Sequence, residues 1–414
     1  MRRFGFKETL AAALMLLSLA ACERENPVTT REYREVIIYC GMGYNNLSSN
    51  IRSNLEQLKE GNLPYDTADK AIVAFCHNTA PGGGYTTDNP PVLLQFCNRG
   101  GQNVIDTLKI YPADTKSATA ESLTAALFDI RGLFPAKRYG MIFSSHSTGW
   151  TPCGYKAAEE GEFAFSATQE REAEEFPLTK AFGSQFVGSY ERNMEIDLTD
   201  FAAAIPMKLE YIIFDSCLMG GVEVAWELKN VCDRIVFSPT EVIAEGFIYK
   251  PMPWHLFAGR NPDLKSICED FFNYYDSQSG NSRSATVTLL DCRGLDRLAE
   301  VFSGIVASHR EGFDNINRGK VQPYFYGAGS STKDWFYDIR DAAREAGADS
   351  GELSMLDKAL AGCIEYHAET ESFFKTPLER CCGLSSYLPS PSRPRLTAYY
   401  KGLSWNRAVG LVAE

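Results

Sequence analysis

The chain has 414 residues and a globular composition, 44% hydrophobic and 12% aromatic, enough for one large domain or two smaller ones. Its net charge of −12 argues against nucleic acid as a partner and is compatible with cationic substrates. Twelve cysteines are scattered with no C-x-x-C pair, so neither a zinc site nor a disulfide framework is expected, and most should be buried free thiols.

Arg2, Arg3 and Lys7 precede a short apolar run, Leu10 to Leu19, the pattern of an export signal. Leu19-Ala20-Ala21-Cys22 then reads as a bacterial lipobox, which makes Cys22 the lipidated residue and the mature N-terminus. Residues 1–22 are therefore expected to be a lipoprotein signal peptide and 23–34 a polar tether. The body would sit in the bacterial cell envelope, periplasmic or at the cell surface, held to the membrane by its lipid. No later segment is long and apolar enough to cross a bilayer.

Val36 to Cys40 is the first buried strand; Gly41, Gly43 and Asn45-Asn46 form a loop at its end, and Leu47 to Leu58 reads as an amphipathic helix. Ala71 to Phe75 is a second strand, followed by Cys76, His77 and a Gly-rich loop, and Val92 to Cys97 is a third with hairpin character. Ser122 to Phe134 is a helix. The strand Tyr139 to Phe143 runs into Ser144-Ser145-His146-Ser147-Thr148-Gly149-Trp150, and a polar, Glu-rich segment follows from Thr151 to Glu195. Leu198 to Ala204 is a helix, Tyr211 to Phe214 a strand buried on both faces, and Ile235 to Ser238 one more strand. Strands alternating with helices predict an α/β fold, a largely parallel sheet covered by helices on both sides. Past about Pro251 the pattern changes to an α+β one. Helices are expected over Leu264–Tyr275, Leu295–His309, Asp334–Ala346 and Leu353–Tyr366, with strands at Ala285–Leu290 and Cys382–Leu388. This gives two units, 35–250 and a C-terminal subdomain, 251–414.

Two of these strands end in reactive groups. Tyr211 to Phe214 is followed by Asp215, Ser216 and Cys217, then Gly220-Gly221 and a helix whose Glu223 and Glu227 should share one exposed face. A cysteine near a helix N-terminus is biased towards thiolate. His146 ends the strand before it, and neighbouring strands lie about 4.8 Å apart. Thiolate attack on a carbonyl with an imidazole moving the proton then becomes feasible. The N–H groups of Cys217 and of Ser147 or Thr148 are the candidate oxyanion donors. His77 is a rival imidazole, but its neighbour Cys76 points to the opposite face. His255, His309 and His367 have no acid or thiol suitably placed in the sequence and read as structural.

These stretches carry a resemblance. VIIYCGMGYNNL, SSHSTGW, FDSCLMGGVEVAWEL and SPTEVIAEGFIY, with TVTLLDCRGLDRLAE, DWFYDIRDAA and GLSSYLPSP further on, resemble in family order the clostripain family of cysteine peptidases, which have a caspase-like fold. The resemblance implies an endopeptidase with His146 as general base and acid and Cys217 as nucleophile, 35–250 being the catalytic domain. It implies Arg or Lys before the scissile bond, read by Asp215 at the base of the pocket, so the partners would be proteins or peptides with basic residues. It also implies self-cleavage in the loop after His146, where Lys156 and Lys180 are the candidate sites. Members are often calcium-dependent, though nothing in the residues requires a cofactor and no calcium ligands are assigned. Two positions depart from the family: Ser147 stands where glycine is common, and Tyr44 where an acidic residue is common. The alternative function is a non-catalytic surface lipoprotein that binds a partner on the same fold.

Overall fold

The structure, a computed structural model, describes residues 31–79, 89–155, 195–325 and 335–413. Its strands include β1 (Tyr33–Gly43), β2 (Lys70–Asn78), β3 (Val92–Arg99), β4 (Gln102–Ile110), β5 (Ala136–Ser144), β6 (Leu209–Asp215), β7 (Cys232–Phe237), β8 (Thr286–Asp291), the two-residue β9 (Tyr337–Asp338) and β10 (Ile364–Glu369). All but β9 join one nine-stranded sheet in the order β10-β8-β7-β6-β5-β1-β2-β3-β4. The five central strands, β2, β1, β5, β6 and β7, are parallel; an antiparallel pair extends the sheet at each edge. The expected α/β architecture is thus present. The central strands are continuous apolar runs because helices cover both their faces, so neither side needs polar residues.

From β1 the chain steps to β2 on one side, while β5, β6 and β7 follow one another on the other. The order reverses between β1 and β5, and the loops leaving their carboxyl ends part there, the usual place for a binding crevice in an open α/β sheet. Helix α1 (Ser48–Glu60) follows β1, and α2 (Ala120–Leu133) precedes β5, its first turn capped by Thr119 Oγ1 accepting from Ser122 N. Helices α3 (Leu198–Ala204) and α4 (Val222–Leu228) flank β6.

Several expectations need correction. β4 was not foreseen: its residues are polar because it is a half-exposed edge strand. The two-residue turn that creates it, Gly100-Gly101, has φ of +61° and +88°, the geometry a tight hairpin demands. The helix expected to reach Tyr366 ends at Ala361, and Ile364 onwards is β10. The strand expected over Cys382–Leu388 is only Ser385-Ser386, paired with β9. The sheet is also continuous across residue 250, since β8 and β10 of the C-terminal segment extend it.

Glu223 is the sharpest reversal. It is not on an exposed face but wholly buried, because the C-terminal segment lies over that side of α4. Its carboxyl accepts from Tyr387 N (2.8 Å) and Tyr400 Oη (2.9 Å), and burial raises its pKa to about 7. One turn on, Glu227 accepts from Ser404 Oγ at 2.6 Å. Of the eleven free cysteines in the described residues, eight are buried, as expected.

Candidate active site

The last residues of β5 and β6 lie side by side, Ser144 against Asp215 in parallel register. Two residues on from each come His146 and Cys217, so both leave the sheet at the same height on adjacent strands. Their loops are fastened together: the Ser147 hydroxyl donates to the Cys217 carbonyl. Gly149 makes this closeness sterically feasible. Its φ is +64°, and a Cβ there would stand 2.5 Å from the Leu218 carbonyl oxygen. Leu218 itself is left-handed at φ +61°, a conformation costing of order 1–2 kcal/mol for a residue with a Cβ. It is held by Leu218 N donating to Thr240 O at 2.9 Å. Among the described residues Leu218 and Phe374 are the non-glycine positions with positive φ, so Ser147 does not need the left-handed conformation that would favour glycine there.

The Cys217 sulfur accepts the Val242 N–H at 3.0 Å, and its thiol lies 3.5 Å from the Val242 carbonyl oxygen. Cys217 is 0% exposed and His146 8%, so in this single uncut chain the thiol is covered. The His146 Nε2 stands 2.6 Å from Asn46 Oδ1, across the point where the strand order reverses. An amide oxygen can only accept, so this contact makes Nε2 the protonated nitrogen. The loop bearing Asn46 is fixed by Leu47 N donating to Asn45 Oδ1 (2.8 Å) and by Ser145 Oγ donating to Met42 O (3.0 Å).

Asp215 turns to the other face of the sheet, towards α1, and is wholly buried. Its Oδ2 accepts from Ser144 Oγ at 3.0 Å and Tyr249 Oη at 2.6 Å. On the opposite face, the residues one step earlier, Phe143 and Phe214, lie buried behind the lining of a depression. Its rim runs along the histidine loop from Ser145 to Gly149.

His77, the rival, is 2% exposed. Both its nitrogens are used, Nδ1 with Ser117 Oγ (2.7 Å) and Nε2 with Asn89 O (2.9 Å), and Tyr44 stacks on its ring at 4.3 Å. Burial lowers its pKa to about 4, which keeps it neutral. The Tyr44 departure is therefore a packing contact beside the cleft. Three remaining histidines do have acid partners, contrary to expectation: Asp270 at 2.8 Å from His255, Glu352 at 2.6 Å from His309, and Glu369 at 3.0 Å from His367. Their partners are distant in sequence or, for His367, two residues on along the same strand face, which spacing alone does not flag.

Lys156, Lys180 and Cys22 lie outside the described residues. Among the described residues no group of three or more His, Cys, Asp or Glu side chains could hold a metal ion. Nor is any described helix long and apolar enough to cross a membrane. Sequence reasoning missed Asn46, although its Asn-Asn-Leu turn stands at the end of the first strand. It also missed Val242, whose contribution is a backbone N–H and leaves no signal in residue type.

A model of the clostripain family of peptidases matches residues 40–325. No curated protein matches the chain. Among solved structures, the fold is similar to an inactive zymogen C11 protease from Parabacteroides distasonis (23% identity, 91% of this chain and 97% of that one, TM-score 0.71). It is also similar to the secreted C11 cysteine protease iotapain from Bacteroides thetaiotaomicron (24%, 91% and 99%, TM-score 0.70). A secreted C11 cysteine protease of the same organism in complex with an irreversible peptide inhibitor matches at 18% identity, 91% and 99% coverage and TM-score 0.72. With the loops that bear a strand-end thiol and an imidazole fastened together on a parallel sheet and the family match spanning both, the chain belongs to the clostripain family and is a cysteine-type peptidase.

Proposed function

We propose that Cys217 and His146 form a catalytic dyad that cleaves peptide bonds after Arg or Lys. The observation that carries this is the Ser147–Cys217 contact, which binds the histidine loop to the cysteine loop at adjacent strand ends. With Nε2 directed to Asn46, Nδ1 takes the thiol proton, and the thiolate attacks the scissile carbonyl to form a C–S bond. The N–H groups of Cys217 and Ser147 receive the oxyanion. His146 returns the proton to the departing amine as the C–N bond breaks. Water, deprotonated by the same ring, then releases the acid from the thioester.

Asp215 supplies the negative charge for a basic side chain; a carboxylate facing a guanidinium or ammonium discriminates strongly against neutral side chains. In the uncut chain it is occupied by Ser144 and Tyr249, and the thiol is covered. This supports a latent form activated by cleavage after Lys156 or Lys180. No step is routed through calcium. The chain is further proposed to be anchored in the cell envelope through lipid on Cys22, and a Cys22→Ala chain that still partitions with membranes would remove the anchor.

A fluorogenic Arg or Lys peptide assay tests the dyad: turnover is expected with the wild type and none with Cys217→Ala. Undiminished turnover by Cys217→Ala would overturn it. Intact mass tests the processing, since the wild type should be cut and Cys217→Ala should remain whole.

A further inference from the structure

We infer that the depression beside the histidine loop is a subsite for an apolar side chain on the residue immediately after the scissile bond. The inference rests on the proposed dyad and on Asp215 as the reader of the residue before that bond.

The two sides of the sheet at this rim differ in chemistry. Ser144 and Asp215 turn their polar groups towards α1, whereas Phe143 and Phe214 turn the other way. There they meet Phe201 of α3, with ring centroids 5.0 and 5.9 Å away, and with Leu198 and Met219 they form the apolar part of the lining of the depression. The polar lining of the depression comes from Ser147 and Thr148, which carry on from His146, and from Ser117, Thr151 and Glu195. A peptide crossing this edge in extended form sends successive side chains to opposite faces. If the basic residue points to the Asp215 side, the residues on either side of it in sequence point towards the phenylalanines. His146 chooses between those two. It hands its proton to the leaving amine, so the residue that owns that amine must pass along the histidine loop, and that loop is the rim of the depression.

The chain's own candidate cleavage points fit this. Lys156 and Lys180 are each followed by alanine, while Arg171 is followed by Glu172, whose carboxylate would have to enter an apolar floor without a partner. Processing should therefore avoid Arg171.

The test is a quenched-fluorescence peptide library in which the residues before and after the scissile bond vary independently, read as kcat/KM on the processed enzyme. Leu, Met or Phe after the bond should be cleaved about tenfold or more faster than Glu or Asp. N-terminal sequencing of the self-processed protein should begin at Ala157 or Ala181. Phe201→Ala, which deepens the floor, should shift the preference towards Phe and Trp after the bond. If that variant does not fold, the wild-type profile decides by itself. Leu and Glu cleaved within twofold of each other, an apolar preference confined to the residue preceding the basic one, or a cut before Glu172 would each overturn the subsite. An apolar preference after the bond without a basic preference before it would instead remove the Asp215 reading and leave the subsite standing.

Discussion

The carboxyl edge of the sheet carries two imidazoles, one at the end of β2 and one just beyond β5, separated by the single strand β1. His77 and His146 look alike in sequence: each follows a buried strand and precedes a loop with glycine. Their surroundings make them different groups. His77 is enclosed by Ser117, Asn89 and Tyr44, and burial holds it neutral. His146 borders the depression, is oriented by Asn46 and shares a fastened pair of loops with the thiol. The end of a strand supplies an address; the neighbouring strand's loop decides whether the group there does chemistry.

The most severe way to break this comparison is to exchange the fates of the two rings. His146→Gln should lower kcat/KM for a Lys peptide about 10³-fold or more, as expected when a general base is removed. His77→Gln should leave it within twofold, measured on the same substrate. Equal losses would mean that the two sites are not distinct. Next in size, Asp215→Asn should cut kcat/KM for basic substrates about 10²-fold while sparing turnover of a neutral peptide. Asn46→Ala should cost about tenfold and displace the acidic limb of the kcat/KM pH profile, since the amide orients the ring and does not touch substrate. An unshifted profile would restrict Asn46 to loop structure.

The smallest effect concerns stability. Because the folded pKa of His77 lies near 4, below the ordinary 6.5, the unfolded chain binds more protons between those values. Its contribution is present above about pH 6.5 and is lost as pH falls towards 4, at up to about 1.4 kcal/mol per pH unit. Denaturant melts should therefore show His77→Gln less stable than wild type at pH 7, with the gap closing by pH 5. Glu223, raised to about 7, acts in the opposite direction but is common to both proteins and cancels in the difference.

Much of this site was legible because the parallel strands are continuous apolar runs that stop where the chemistry starts. That interruption marked His146 and Cys217 as candidates, while the role expected of Asp215 came from the family resemblance. What stayed hidden is what depends on a distant partner. Glu223 has the spacing of a solvated helix face, and only the return of Tyr387 and Tyr400 buries it. β4 reads as polar because it is an edge strand, and the Gly100-Gly101 turn was its only local mark. Asn46 is an ordinary loop residue until β5 is placed beside β1.

The most direct test of the central claim is to treat the processed protein with an irreversible Lys-directed peptide electrophile and map the adduct by mass spectrometry. One adduct per chain, on Cys217 and lost in His146→Gln, is the predicted result. Labelling that spares Cys217, or that proceeds at the same rate without the imidazole, would contradict it.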